Sequence, residues 1–325
     1  MRTVKLGRTG LAVTPLAYGT WQFGGDWGPV DERAAVAAIE NARALGINFF
    51  DTAQAYGFGQ SERLLGRALA DELHSAREQV VIATKGGLRM DGDQLVRDAS
   101  PAWLRKGVEA SLDALGTDYV DLYQVHWPDP HTPIGETAAA LAELTREGLI
   151  HHVGVSNYSP AQIEQFATVL RVETIQPPYH LFRRDAESGL LPYAAAHGIG
   201  VLAYGPLAHG LLGGTFTAAT TFAAGDWRAH SPAFTGPGFA RNIQVVAALS
   251  AFAARRGATV AQLAVAWVLA NPAVQVAIVG ARTPAHLAES LGALDLTLSQ
   301  ADLAEIDHIM AAAVPVGGPT PEGMS

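Results

Sequence analysis

The segment Val120–His126, with the sequence VDLYQVH, lies between two alanine-rich segments, and this arrangement decides the fold class. Its length and its valine and aromatic content predict a buried β-strand. The flanking segments Pro101–Leu115 and Ile134–Glu147 are instead predicted to be helices. In the first of them, Leu104 and Val108 stand four residues apart, as expected for one buried helix face. Strands that alternate with helices are typical of α/β proteins with a parallel sheet.

The same alternation continues along the whole chain. Strands are predicted at Pro15–Tyr18, Asn48–Asp51, Val80–Thr84, Val120–His126, His152–Ser156, Thr174–Gln176, Gly200–Tyr204 and Val276–Val279. Helices are predicted at Asp31–Leu45, Ser61–Leu73, Pro101–Leu115, Ile134–Glu147, Pro160–Leu170, Asp185–His197, Phe239–Arg255 and Thr283–Leu291. This pattern favours a (β/α)8 TIM barrel that forms a single domain over residues 1–325. An open doubly wound sheet is the alternative, but no G-x-G-x-x-G motif follows the first strand.

Three segments do not fit the eightfold alternation. Thr259–Ala270 and Ser299–Ala312 are predicted to be two additional helices that pack on the barrel. The segment Gly205–Gly238 is rich in glycine and proline and is predicted to be a long loop after the seventh strand. Loops of this length are usually functional lids or disordered segments.

Composition excludes several classes of protein and of site. The chain has no cysteine, which excludes disulfides, thiolate zinc sites and cysteine nucleophiles. Its net charge is −9 without a cluster of basic residues, so we expect no nucleic-acid partner. Polar residues such as Gln262 and Asn271 interrupt the longest apolar region too soon for a membrane span. His131 and the pair His151-His152 have no carboxylate at a ligand spacing, so no metal site is expected. We expect a cytoplasmic protein that is a monomer or a weak homo-oligomer.

Polar residues follow the ends of the predicted strands. These residues are Asp51, Lys85, His126, Ser156, Asn157, Gln176 and Tyr204, and the turn Gly280-Ala281-Arg282 follows the eighth strand. Each residue alone is more simply read as a paired polar group or a loop residue. Barrel enzymes, however, place their catalytic residues at the carboxyl ends of the strands. The repetition at successive strand ends therefore predicts one active site.

The residue types at these strand ends suit the reduction of a carbonyl group. Asp51 and Lys85 lie on adjacent predicted strands and can pair, and Tyr56 lies in a loop that can fold back over them. A lysine ammonium stabilises phenolate and so lowers the pKa of a nearby phenol, which makes tyrosine a usable acid near neutral pH. Hydride addition to a carbonyl creates an alkoxide that needs such a proton donor. His126 can make a second polar contact to the same oxygen.

These residues also carry a family resemblance. The motifs that carry it are Gly19-Thr20-Trp21, Phe50-Asp51-Thr52-Ala53-Gln54-Ala55-Tyr56-Gly57, Thr84-Lys85-Gly86-Gly87, His126-Trp127-Pro128-Asp129, Gly154-Val155-Ser156-Asn157, Gln176-Pro177-Pro178-Tyr179 and Gly280-Ala281-Arg282-Thr283. In this order they resemble the aldo-keto reductases over nearly the whole chain. The stretch Ala203-Tyr204-Gly205-Pro206-Leu207, followed by Gly210-Leu211, resembles the bacterial branch that includes the general-stress and inositol-operon reductases.

The resemblance implies a catalytic tetrad in which Tyr56 is the general acid and Asp51, Lys85 and His126 are its partners. It also implies NADPH bound across the barrel mouth and a small-molecule carbonyl substrate. The residues expected to contact NADPH are Thr20, Trp21, Ser156, Asn157, Gln176, Tyr204, Gly205, Pro206, Leu207, Gly210, Leu211, Gly280, Arg282, Thr283, His286, Glu289 and Ser290. Two of them depart from the family pattern, because His286 replaces the usual glutamine and Ser290 the usual asparagine.

The sequence leaves the substrate and one alternative function open. Four aromatic residues are predicted to line a substrate pocket, namely Trp21, Trp27, Phe58 and Trp127. The alternative is a nucleotide-sensing regulatory subunit with little turnover, because some members of the superfamily are channel-associated subunits. Such a subunit could keep the whole tetrad, so only a turnover assay separates the two functions.

Overall fold

A closed barrel of eight parallel strands forms the centre of the molecule. The computed structural model describes residues 1–25, 28–223, 226–281 and 284–316. Its strands are β1 (Val4–Lys5), β2 (Ala12–Val13), β3 (Leu16–Gly19), β4 (Phe49–Asp51), β5 (Val81–Gly86), β6 (Leu88–Asp91), β7 (Gln94–Arg97), β8 (Val120–Val125), β9 (Ile150–Ser156), β10 (Thr174–Gln176), β11 (Gly200–Tyr204) and β12 (Val276–Gly280). Its α-helices are α1 (Glu32–Ala44), α2 (Gln60–Ala68), α3 (Ala70–Ser75), α4 (Pro101–Leu115), α5 (Ile134–Arg146), α6 (Pro160–Ala167), α7 (Leu190–His197), α8 (Gly236–Ala254), α9 (Val260–Ala270), α10 (Pro284–Leu291) and α11 (Gln300–Met310).

The barrel closes in the strand order β3-β4-β5-β8-β9-β10-β11-β12, with β12 paired to β3. Alternate side chains of each strand point inward, and those of Ala17, Phe49, Leu122 and Leu202 form one buried apolar cluster. The other side chains pack against the surrounding helices in a second, larger cluster. The (β/α)8 barrel predicted from the alternating pattern is thereby confirmed.

Two antiparallel hairpins accompany the barrel, and neither is predicted by the alternating pattern. Strands β1 and β2 pair at the amino-terminal end of the barrel, where Leu6 and Val13 are fully buried in the inner cluster. Gly7 permits this close contact, because a Cβ there would lie 2.3 Å from the backbone nitrogen of Gly200. The second hairpin joins β6 to β7 directly after the third barrel strand.

Helix starts follow the capping chemistry in the sequence. The Ser159 side chain accepts a hydrogen bond from the backbone of Gln162, and the Gln162 side chain bonds back to the Ser159 backbone. Pro160 occupies the first turn of the same helix. These bonds form a capping box, and the predicted start of this helix at Pro160 is confirmed.

The helices differ from the prediction in three places. The predicted helix Ser61–Leu73 is two helices, α2 and α3, which meet at Leu69. The predicted helix Asp185–His197 begins with a separate 3-10 turn, Asp185–Ser188, before α7. The roles of α8 and α9 are exchanged: α9 packs directly against β12, whereas α8 packs on α9 and α11. The two additional helices are therefore α8 and α11.

The long segment after β11 contains two 3-10 turns, Ala208–Gly213 and Trp227–His230, among otherwise irregular backbone. Among the residues that the structure describes, no helix is both long enough and apolar enough to cross a membrane.

Candidate active site

Lys85 of β5 lies at the centre of the site, at the carboxyl end of the barrel. Its Nζ donates to Asp51 Oδ2 at 2.7 Å and to the backbone carbonyl of Thr52 at 2.8 Å. A third, longer contact reaches Tyr56 Oη at 3.4 Å. The lysine side chain is fully buried, so these oxygen atoms take the place of water around the ammonium.

The loop after β4 brings Tyr56 over the barrel mouth. Its backbone is left-handed at Gly57, Phe58 and Gly59, with φ values of 65°, 45° and 94°. Glycine tolerates this conformation, whereas a bulky residue such as Phe58 adopts it rarely. Gly24 lies against the loop, because a Cβ there would be 2.9 Å from the Tyr56 Cα. Backbone geometry and close packing therefore determine the position of Tyr56.

Asp51 has a second partner on the opposite side of the barrel. Its Oδ1 accepts a hydrogen bond from Gln176 Nε2 at 2.8 Å, while Oδ2 receives Lys85. A buried carboxylate is costly unless it is paired and hydrogen-bonded, and Asp51 satisfies both conditions. The ends of β4, β5 and β10 are thus joined by a single carboxylate.

His126 follows β8 and faces Tyr56. The two ring centroids are 5.8 Å apart and the rings are nearly perpendicular, at 80°. Burial, with a smaller contribution from the Lys85 ammonium, holds the pKa of the His126 imidazole well below its usual value. The ring is therefore neutral at neutral pH and can donate one hydrogen bond to an oxygen atom.

Polar side chains at the next strand ends form a network around Tyr204. Asn157 has a left-handed backbone, with φ 62°, and its Nδ2 donates to the backbone carbonyl of His126 at 3.1 Å. Its Oδ1 accepts from Tyr204 Oη at 3.0 Å. Ser156 Oγ donates to the backbone carbonyl of Gln176 at 2.8 Å. These bonds orient the Tyr204 ring at the edge of the site.

A cavity of about 470 Å³ extends from the barrel mouth to α10. Most of the site residues predicted from the sequence line it, namely Thr20, Trp21, Asp51, Tyr56, His126, Ser156, Asn157, Gln176, Tyr204, Gly205, Pro206, Leu207, Gly210, Gly280, His286, Glu289 and Ser290. Lys85 lies directly behind Asp51 and is completely buried. Trp21 stands beside Tyr56, with the two ring centroids 6.3 Å apart.

Several predicted residues lie elsewhere. Leu211 is buried in the outer core and does not line the cavity. Trp127 is also buried; it packs with Leu88 and is not among the residues that line the cavity. Phe58 is 42% exposed and is not among the residues that line the cavity. The predicted residues Trp27, Arg282 and Thr283 lie outside the described residues.

Sequence reasoning missed part of the cavity wall. The additional lining residues are Gly19, Gln22, His209, Gly213, Thr215, Phe216, Arg228, Ala261, Ile278 and Val279. Gly19, Ile278 and Val279 belong to barrel strands, and their position in β3 and β12 is a signal that could have found them. Most of the others come from the long segment after β11, where no periodic pattern indicates which side chains face the cavity.

His209 is the most unusual of these missed residues. Its backbone is left-handed, with φ 55°, as is that of Ala208 before it, with φ 48°. Arg228 Nη1 donates to the His209 carbonyl at 3.1 Å, and the same guanidinium pairs with Asp226 at 2.6 Å. Burial and the positive charges of Arg183 and Arg228 lower the pKa of His209 to about 4. The ring is therefore neutral at neutral pH.

His151 and His152 lie outside the cavity lining and have local partners. His151 stacks on Tyr119 with ring centroids 4.0 Å apart, and His152 Nδ1 lies 3.1 Å from Glu173 Oε2. Within the described part of the chain, no group of three histidine, aspartate or glutamate side chains could hold a metal ion.

Comparison with known proteins agrees with this geometry. The aldo/keto reductase family profile matches residues 15–311. The chain is 42% identical to the aldo-keto reductase YhdN of Bacillus subtilis, over 98% of this chain and 96% of that protein. It is 36% identical to the NADH-specific methylglyoxal reductase of Escherichia coli, over 93% and 96% of the two chains. A glycerol dehydrogenase structure from Gluconobacter oxydans superimposes with a TM-score of 0.89 at 39% identity, covering 98% of each chain. The chain therefore belongs to the aldo/keto reductase family.

Proposed function

We propose that this protein reduces aldehydes and ketones with NADPH, and that Tyr56 is the general acid. One observation carries the proposal: a buried ammonium, Lys85 Nζ, lies 3.4 Å from Tyr56 Oη at the wall of the cavity. His126 presents a neutral imidazole to the same region. This combination is suited to an oxygen atom that gains negative charge during reaction.

Each side chain has a defined part in the reaction. When bound, NADPH would supply the hydride that adds to the carbonyl carbon. Tyr56 Oη donates its proton to the carbonyl oxygen, which completes the alcohol and leaves a phenolate. Lys85 stabilises that phenolate, and Asp51 holds the ammonium in place. In the reverse direction, the phenolate removes the alcohol proton.

The cavity fits a nicotinamide cofactor. The Tyr204 ring offers a flat surface for the nicotinamide, and Ser156, Asn157 and Gln176 supply polar groups for its carboxamide. Gly205, with φ 67°, leaves open space, since no atom lies within 4 Å of where its Cβ would be. This opening would let a phosphate approach the backbone closely.

The choice between NADPH and NADH depends on the far end of the cavity, where His286, Glu289 and Ser290 line the wall. NADPH is favoured because Arg282 follows the last barrel strand, and a guanidinium matches phosphate oxygens in two-pronged geometry. The Escherichia coli relative is named as NADH-specific, so both cofactors need to be titrated. The names of that relative and of the Gluconobacter protein, which refer to methylglyoxal and glycerol, make small oxygenated carbonyl compounds the first substrates to assay.

The substitution Tyr56→Phe tests the proposal, because it keeps the ring and removes the proton donor. We expect turnover with NADPH and an aldehyde to fall by about 10²–10⁴-fold while the cofactor dissociation constant stays the same. Tyr193→Phe, on helix α7 and outside the cavity lining, is the matched control and should keep full activity. Unchanged turnover in Tyr56→Phe would exclude Tyr56 as the acid. Oxidation of a single equivalent of NADPH by the wild type, without turnover, would favour the nucleotide sensor.

A further inference from the structure

A group of buried polar side chains lies behind Lys85, on the outer face of β5. Successive strand residues point to opposite faces, so Thr84 and Gly86 face outward while Lys85 faces the barrel interior. Thr84 Oγ1 donates to Glu62 Oε1 at 2.6 Å, from helix α2. Tyr123 Oη occupies the space beside Gly86, where a Cβ would lie 1.8 Å from it. The residues on both sides of Lys85 are thus held from outside the barrel.

The same group reaches the loop that carries Tyr56. A Cβ at Gly107 of α4 would lie 3.0 Å from Gln54 Oε1 and 3.2 Å from Tyr123 Oη, so these two side chains meet beside the helix. Gln54 belongs to the Tyr56 loop, and its backbone N–H donates to the Lys85 carbonyl at 2.9 Å. The loop and the strand are therefore tied to each other and to one buried polar cluster.

Among the hydrogen bonds described for Thr84, Lys85 and Gly86, one involves a carboxyl on the outer face of β5. That carboxyl belongs to Glu62. The side chain is fully buried, and its Oε1 accepts the Thr84 hydrogen bond. Burial raises the pKa of the Glu62 carboxyl, an effect that Thr84, Ser111 and the Lys85 ammonium oppose. The Lys85 ammonium already pairs with Asp51, so it does not need the Glu62 carboxylate as a counter-ion. A fully buried carboxyl bonded to the strand beside an active site requires an explanation, and a functional role is one.

We propose that Glu62 is a positioning residue for the proton-transfer pair. It holds Thr84, and through the strand backbone Lys85, at the distance from Tyr56 that proton transfer requires. The inference rests on the proposed function only in taking Tyr56 as the acid. Reactions that depend on exact geometry are sensitive to small shifts, and a displacement of about 1 Å costs roughly a hundredfold in rate. Glu62 acts through Thr84 and Lys85, because it does not line the cavity.

The substitution Thr84→Val tests the inference, because it keeps the shape of the side chain and removes the hydroxyl that bonds Glu62. We expect kcat to fall by about ten- to a hundredfold while KM for the cofactor is unchanged. Thr137→Val is the matched control, since the buried Thr137 Oγ1 also donates one hydrogen bond, to the Ala99 carbonyl at 3.0 Å. It should lose stability to a similar extent and keep its kcat. Glu62→Gln retains an oxygen acceptor for Thr84 and should keep kcat within about threefold of the wild type.

A second measurement does not depend on turnover. The phenolate absorbance of Tyr56, taken as the difference between each protein and its Tyr56→Phe version, is followed as pH rises. The charged and titratable groups around this phenol are Lys85, Asp51 and His126. In Thr84→Val the ammonium is held less closely, so the absorbance should appear at higher pH, whereas Thr137→Val should match the wild type. A Thr84→Val protein with wild-type kcat and a wild-type titration would overturn the inference. A wild type that shows this titration but no turnover would overturn the proposed function and leave the positioning role intact.

Discussion

The substitution Lys85→Met removes the buried ammonium while keeping a side chain of similar length, and the structure sets its expected cost. Asp51 loses the Lys85 bond at 2.7 Å and remains buried, with Gln176 as its partner at 2.8 Å. Breaking a buried ion pair by removing one partner typically costs 3–5 kcal/mol, mostly from the charge left behind. Because Gln176 still stabilises the carboxylate, we expect the lower end, about 3 kcal/mol of unfolding free energy.

Adding Asp51→Asn to Lys85→Met removes the stranded charge and keeps an acceptor for Gln176. We therefore expect the double variant to recover about 2 of the 3 kcal/mol, since neutral replacements of buried pairs often fold as well as the pair itself. We expect both variants to be inactive, because Tyr56 has no ammonium beside it in either. The double variant would then regain stability without regaining activity. A general packing defect would lower both together.

Urea denaturation followed by circular dichroism measures both free energies, provided that the slope m stays constant. Arg105→Met is a control for the loss of a charge, because Arg105 pairs with Glu147 at 2.6 Å on the surface. Exposed pairs contribute roughly 0–1 kcal/mol, so this variant should be nearly as stable as the wild type. A Lys85→Met protein as stable as the Arg105 control, or a double variant less stable than Lys85→Met, would refute the reasoning.

Two further predictions follow from close contacts and from burial. Gly86→Ala would place a Cβ 1.8 Å from Tyr123 Oη, so we expect a loss of about 3 kcal/mol that Tyr123→Phe in the same chain partly restores, as judged by thermal melting. His209 should make the protein less stable as pH falls from 6.5 to about 4, because the unfolded chain binds a proton there that the folded chain does not. The difference in urea midpoint between wild type and His209→Gln should therefore change over this pH range, and a constant difference would contradict the assignment.

The barrel could be predicted because its elements depend on local patterns. Strand β8 and helices α4 and α5 each have a periodicity that is visible in isolation, and their positions agree with the prediction within one or two residues. The hairpin of β1 and β2 has two residues in each strand, too short for a pattern. It depends on the barrel end that it covers, which no local signal describes.

The exchange of α8 and α9 has a similar cause. Both segments are apolar and of ordinary helix length, so sequence alone does not say which one faces the barrel. Eight of the eleven residues of α9, from Val260 to Val268, are buried, which follows from its position between β12 and α8. Such burial is a property of the assembled fold.

The strand-end residues of the site were predictable, whereas its outer wall was not. Asp51, Lys85 and His126 belong to positions that every parallel barrel brings together. Trp127 directly follows His126 and Leu211 lies in a 3-10 turn after β11, and both side chains are buried in apolar clusters. The direction of a side chain in irregular backbone depends on contacts distant in sequence, such as that of Arg228 with the His209 carbonyl.

The hairpin of β1 and β2 also bears on the route by which small molecules enter and leave the cavity. Leu6 and Val13 cap a barrel interior that is already packed by side chains such as Phe49 and Leu202, so the proposed cofactor and substrate would both enter the cavity at the carboxyl end. Two molecules that share one entrance cannot exchange independently: the one that lies deeper enters first and leaves last. The order of product release would therefore follow from the packed interior of the barrel, to which the hairpin contributes Leu6 and Val13.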